Sequence, residues 1–439
     1  MHVEQQRRTG NRDSIMEPPK ASARTTRVTF SQVLRRQPFF ALWVARFISS
    51  IGDWLAVLPL FSLIAFQRHG NAAETSMVMV SFSVPVILLG PLAGAIVDRS
   101  NLKRTLIICD LICAVLAALL AFSGHLYQMY LLMAGLSAAS CFFLPGQTAA
   151  LPLIIPENEL LVANSLNVQT LQLNQVFAPA VVGFAVAWLG EKNCFFLDAA
   201  SFMVSALLVS TIRIERKAIR DVSKSKSIWV DLKAGLKFLA GHPVARVLVL
   251  TIAIANGAVA IFEALFAVYV RDLLGGGSKM FGSVTSALGA GTIVGAMLVG
   301  RFAQRQSRPR IINAGFLVQA VSVFVLGVWA IPVTTLAASV GLGAGAALVF
   351  LSAQTFALEE VPAEMLGRVT STATSVFLVV QLAAFGGSGL LATWLGFRNL
   401  CYIVVVVVVL TAIVAHVWIG KGQGAQAEDE SILEESFHP

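Results

Sequence analysis

Charge is what this chain has least of. Asp, Glu, Lys and Arg make up 13% of its 439 residues, against 56% hydrophobic residues and a mean hydropathy of +0.77. Soluble domains carry about a quarter charged residues, so a large water-exposed globule is excluded. Cysteine is sparse and odd in number: Cys109, Cys113, Cys141, Cys194 and Cys401. No His or Cys set with metal-ligand spacing accompanies them, so they read as small apolar fillers and no metal is expected. Catalytic boxes are missing as well. There is no His-x-x-x-x-Asp acyltransferase box, no nucleotide loop and no metal-spaced His pair. An enzyme is therefore not expected, nor a cofactor, and any driving energy must come from an ion or substrate gradient. Residues 1–38 hold no apolar core of a signal peptide, so a cleavable signal is not expected and the tail reads as mostly disordered.

What fills the chain instead is apolar sequence. Twelve stretches, most about twenty residues long, run from Phe39 to Gly420. Each is long enough to cross a hydrocarbon core of ~30 Å as a helix rising 1.5 Å per residue. The first covers Phe39–Phe66, the fourth Tyr127–Ala150 and the twelfth Phe397–Ile419. Buried helices of a soluble protein would keep a polar face, and Tyr402–Val414 has none. The chain reads as an all-α integral membrane protein of twelve transmembrane helices.

Lys and Arg fix the expected orientation. Summed over alternate sides of the spans they divide 26 against 5, with Arg46 left inside the first span. Basic loops stay cytoplasmic, so both termini are expected inside, in a bacterial inner or plasma membrane. The formal charge of +8 and pI near 9.5 then reflect topology and anionic headgroups, and nucleic acid is not implied as a partner.

The spans fall into two halves. The connection 214–244 is the one long polar interruption, dividing a bundle at 39–213 from a bundle at 245–419, with a further tail at 420–439. Within it Ser227–Gly241 has the spacing of an amphipathic surface helix. The halves echo each other: Gly94-Ala-Ile-Val-Asp98-Arg99 follows the second span, and Gly295-Ala-Met-Leu-Val-Gly300-Arg301 follows the eighth. Ile155-Pro156-Glu157 and Val361-Pro362-Ala363-Glu364 stand in the same relation. Parallel repeats of this kind belong to transporters in which two bundles rock about a central site.

Gly94-x-x-x-Asp98-Arg99-x-x-x-Lys103-Arg104 resembles the loop-two signature of the major facilitator superfamily. Four further segments resemble its enterobactin-exporter and macrolide-efflux branch: Arg46 through Gly52-Asp53-Trp54, Leu151-Pro152 through Ala163-Asn164, Leu197-Asp198 through Ser201-Phe202, and Val361-Pro362 through Gly367-Arg368-Val369. The resemblance implies two pseudo-symmetric six-helix bundles and a proton-coupled exporter of a small amphipathic molecule, siderophore-like or drug-like. A lipid or lysophospholipid translocator and a non-transporting receptor of the same fold are the alternatives. The fourth span lacks the intramembrane Arg of drug–proton antiporters, and only Ala178-Pro179 and Gly183 remain of their fifth-helix motif. The coupling ion is therefore left open by the resemblance.

Charges inside the spans are the functional leads, because each is costly in hydrocarbon. Asp53 lies near the middle of the first span, with Arg46 two turns away, ~10 Å along the axis. Burial and the guanidinium act on the Asp53 proton in opposite senses, so Asp53 reads either as a coupling carboxylate or as a permanent partner of Arg46. Glu263, in the seventh span, is the acid deep in the second half, for substrate or proton binding. Asp110 and Asp198 read as structural acids, the first pairing with a loop base and the second hydrogen-bonding a neighbouring helix. Asn167, Thr170 and Asn174 share a face of the fifth span with Asn164, flanked by Gln175. With Asn256 they are cavity candidates, interhelical hydrogen bonding being the other reading. Gly94, Asp98, Arg99, Lys103, Arg104 and Arg368 form a candidate cytoplasmic gate. The expected partners are a small-molecule substrate, protons and the bilayer, and a monomer is expected.

Overall fold

The computed structural model describes residues 29–213, 228–302, 306–361 and 365–436. Some side chains within these ranges fall outside the description, those of Gln175 and Arg368 among them. The described chain is helical almost throughout, as it must be where no water can satisfy backbone N–H and C=O groups. A short α1 (Phe30–Leu34) precedes α2 (Gln37–Ser62), α3 (Ala72–Arg99), α4 (Leu102–Leu120), α5 (Leu126–Ser140), α6 (Phe143–Ile154), α7 (Leu160–Leu189) and α8 (Glu191–Thr211). After the connection come α9 (Ile228–Gly241), α10 (Pro243–Asp272), α11 (Ser278–Phe302), α12 (Arg308–Val328), α13 (Pro332–Glu360), α14 (Leu366–Leu395) and α15 (Phe397–Ser436).

Ten spans among the described residues are long and apolar enough to cross a membrane. Two more helices complete the set. α4, at 19 residues, carries Lys103, Arg104 and Asp110, and α7, at 30 residues, carries the amide stripe. The fourth span, expected as one helix, is two: α5 stops at Ser140 and α6 starts at Phe143. Pro145 has no N–H to give the carbonyl of Cys141, and its ring crowds that carbonyl. Similarly, α2 holds Pro59 and ends in a π-turn at Leu63–Gln67.

The two halves keep their internal likeness at the backbone. α7 passes to α8 at Gly190 (φ 79°) and α14 passes to α15 at Gly396 (φ 78°). Each sits in a Trp-Leu-Gly-x-x-Asn segment, and Asn193 and Asn399 each donate to the carbonyl four residues back, at 2.9 and 2.8 Å. Only glycine holds this backbone geometry without strain. The position after the glycine differs, Glu191 in the first half and Phe397 in the second.

One apolar core runs through both bundles, built on Phe61, Phe195, Phe262, Phe266, Phe281 and Phe385. Buried Tyr269 donates to the Leu326 carbonyl at 3.1 Å and lies 3.3 Å from the Thr335 hydroxyl. The outer faces of the helices carry exposed apolar side chains such as Leu161, Trp188, Val333 and Trp394, suited to lipid rather than water. The bundles meet along α7 with α11 and along α3 with α14. α9, at the position of the expected amphipathic helix, packs through Leu239 against Val249 of α10 and Val369 of α14. The stretch Glu428–Glu435, rich in acid, reads from its composition as disordered, but α15 instead runs on to Ser436. Extending an existing helix needs no new nucleus, and Ala425–Glu435 is rich in strong helix formers.

Candidate functional site

The helices alternate in direction, so the start of α2, the end of α3 and α9 share one end of the molecule. This is called here the terminal end, and the opposite one the distal end. Inside the first bundle, α2, α4, α5–α6 and α8 surround a narrow crevice whose lining includes Arg46, Ser49, Asp110, Cys113, Ser140 and Phe202. Arg46 and Asp53 form no ion pair there. The Arg46 guanidinium lies over the Phe143 ring, 5.6 Å from its centroid, and its Nε is buried without a hydrogen-bond partner. Asp53 accepts only a long hydrogen bond from Ser140, 3.4 Å.

Two expectations need correcting. Asp110 does not pair with a loop base: it is buried and accepts from the Ser205 hydroxyl at 2.6 Å, because two turns into α4 it faces α8 and not the loop. Asp198 does not hydrogen-bond a neighbouring helix. It is 0% exposed, neither carboxyl oxygen has a partner, and the adjacent Ser201 hydroxyl turns to the Asp198 backbone carbonyl at 2.8 Å.

The amide stripe of α7 is largely spent on packing. Thr170 is buried between α7 and α2, accepting from Trp43 Nε1 at 2.7 Å and donating to the Leu166 carbonyl. Asn174 is buried and donates to the Ser50 hydroxyl of α2. Both are interhelical hydrogen bonds rather than cavity walls, the usual fate of an amide or hydroxyl in an apolar setting. Asn167 accepts from Gln147 of α6 at 3.1 Å. In the second bundle Asn256 donates to the carbonyl of Ile252 on its own helix. The Gln175 side chain lies outside the description. Glu263, half-buried in the distal half of α10, has neither a hydrogen bond nor an ion pair.

At the terminal end, Gly94 has open space where a Cβ would stand, and Asp98, Arg99 and Arg104 are exposed. Lys103 donates to the Ser210 carbonyl of α8 at 2.5 Å, a tie within the first bundle. The Arg368 side chain is outside the description. Arg36 grips Glu159, before α7, with two hydrogen bonds of 2.5 and 2.6 Å, and these hold the Glu159 carboxyl below the usual carboxylate range.

The distal end holds contacts between the bundles that sequence reasoning missed. Arg271, at the end of α10, donates from Nη1 to the carbonyls of Ala65 and Gly70, both at 2.7 Å. Its other nitrogens hold Asp272, at 2.6 and 3.1 Å. Glu191 accepts from Ser62 at 2.6 Å and Gln67 at 3.0 Å in its own bundle, and from Ser278 of α11 at 2.5 Å. Beneath them α7 and α11 touch backbone to backbone: a Cβ added at Gly183 would fall 2.6 Å from the Gly282 carbonyl oxygen. Ser286 of α11 donates to the Ala180 carbonyl of α7 at 3.0 Å. Across the molecule, Gly389 of α14 is pressed against Ala73 and Ser76 of α3. The one hint in the sequence was negative. Arg271 is among the few basic residues on a side otherwise nearly bare of them.

Two six-helix bundles joined by helix pairs, with carboxyls inside the membrane, define the class of protein as a membrane transporter. The family model described as "Transmembrane secretion effector" matches residues 29–428, so the chain belongs to that family of the major facilitator superfamily, in its efflux branch. The MFS-type transporter YfiS of Bacillus subtilis is 27% identical over 363 residues, 81% of this chain and 87% of that one. Macrolide efflux protein A of Streptococcus pyogenes is 22% identical, covering 82% of this chain and 91% of that protein. Among solved structures, the nucleoside transporter NupG, in a mutant form, matches with a TM-score of 0.68 at 12% identity. The match covers 87% of this chain and 99% of that one, and at such identity it bears on the fold alone.

Proposed function

We propose that this protein is a secondary active exporter that moves a small amphipathic molecule, drug-like or siderophore-like, against an inward flow of protons by alternating access. The observation that carries the reading is Glu263. It is a carboxyl within the membrane, on a helix whose end latches the other bundle, with no group of the protein bonded to it. An acid so placed has its hydrogen-bonding capacity left for a proton or a cargo. The relatives named for macrolide efflux support the class of cargo. The distribution of Lys and Arg supports an orientation with the terminal end in the cytoplasm. In that orientation the distal latch closes the outer side, and the structure corresponds to a state closed to the exterior.

The test is proton flux in everted vesicles holding an acid interior, read with a pH-sensitive dye while amphipathic drugs and siderophores are added in turn. The expected result is that one compound collapses the gradient with wild type and fails to do so with Glu263→Gln. Equal responses from wild type, Glu263→Gln and Asp53→Asn refute proton coupling through these acids.

A further inference from the structure

The fold brings together four ionisable side chains that the sequence scatters. Asp53 and Arg46 on α2, Asp110 on α4 and Asp198 on α8 converge inside the first bundle. Helices α2 and α8 pack tightly at Gly52. A Cβ there would lie 2.5 Å from Asp198 Oδ1 and 2.5 Å from the Ser201 hydroxyl, so a glycine beside Asp53 is what lets the α8 carboxyl come this near. Asp53 interacts electrostatically with Arg46 and Asp198, and Asp110 with Arg46 and Asp53. A narrow crevice lined by Arg46 and Asp110 opens beside them.

A second observation is independent of the clustering. The buried Asp198 carboxyl has both oxygens unpartnered, and so has the Nε of Arg46. Among the described residues Arg46 is the one cation that reaches the group. The other titratable side chains facing it are Cys109 and Cys113 on α4 and Cys141 at the α5–α6 break. Three carboxylates against one guanidinium would leave uncompensated negative charge in a dry interior, which proteins avoid by neutralising a group.

We propose that Asp53, Asp110 and Asp198, with Arg46, form a single proton-binding site inside the first bundle. Asp198 holds the proton in the state seen here. Asp53, adjoining the Gly52 contact, and Asp110, held by Ser205, are the carboxyls between which the proton can be redistributed. The proposal rests on the proton-coupled reading and deepens it: the ion is taken up within one bundle, apart from the interface between the two.

The experiment is an infrared titration of the full chain in lipid, with protons as the only ligand and Glu263→Gln as the background. Wild type at the other positions is expected to show the carbonyl stretch of a protonated carboxylic acid, bleaching as pH rises. Asp198→Asn is expected to lose that band, and Ser205→Ala to keep it with a shifted midpoint. Ser205→Ala removes a single hydroxyl and guards against a fold lost with Asp198. A band of unchanged size in Asp198→Asn, an unmoved midpoint in Ser205→Ala, or no such band before either change overturns the site. No cargo is present in the titration, so an intact titration alongside failed vesicle flux in the wild-type protein refutes export while leaving the site standing. Flux without the titration does the reverse.

Discussion

Removing Arg271 should release the distal end. In Arg271→Ala the carbonyls of Ala65 and Gly70 lose their shared donor from the opposite bundle, while Asp272, already half exposed, is left to water. Two intramolecular hydrogen bonds at a partly exposed site are worth ~2 kcal/mol together. All of that belongs to the state in which the bundles touch at this end. At 1.4 kcal/mol per factor of ten, the ratio of distal-open to distal-closed molecules should rise ~25-fold. Spin labels at His125→Cys in the first bundle and Val333→Cys in the second would report it, since both positions are exposed at distal turns. Cys109, Cys113, Cys141, Cys194 and Cys401 would first be replaced. The distance distribution in lipid should gain a longer component in Arg271→Ala. A distribution identical to that of the parent, or one shifted to shorter distances, would falsify the assignment of Arg271 as a latch between bundles.

The same label pair tests the helix contact beneath the latch. A Cβ at Gly282 would stand 2.9 Å from the Ala187 Cβ, so Gly282→Leu overpacks the closed interface by ~1–3 kcal/mol. It should favour the open population ~5- to 150-fold, whereas Gly300→Ala, with nothing within 4 Å, should leave the distribution alone. At the terminal end, the carboxyl of Glu159 is held below its ordinary value by the Arg36 hydrogen bonds. The stability this gives is fully present above the unfolded value of ~4.3 and is lost as pH falls through the folded one. Thermal unfolding should therefore separate wild type from Glu159→Gln at neutral pH and bring them together in acid. A gap that widens on acidification would contradict the sign.

Much of the architecture was legible because the bilayer leaves few choices. Twenty apolar residues in a row can only be a helix there, and the Trp-Leu-Gly segments mark matching turns in the two halves. The break at Cys141 was readable in principle, since Pro145 stands four residues on. The site was less legible. Asp53 and Glu263 could be singled out, because an acid in a hydrophobic run is conspicuous by itself. Their partners could not. Nothing local distinguishes Thr170 and Asn174, which bond to α2, from amides that would line a cavity. Glu191 is an acid at a helix start, and only the fold sets Ser62, Gln67 and Ser278 around it.

The sequence by itself determined the class of protein and the helical, apolar character of its spans. These follow from local composition, which the solvent reads one segment at a time. Tertiary structure alone decided which helices bring their carboxyls near one another, which hydroxyls and amides bind helices to each other, and at which end Arg271 ties the bundles together. Those are contacts between residues far apart in the chain. Their geometry depends on where α2, α8 and α11 come to rest, with Gly52, Gly183 and Gly282 permitting the closest approaches.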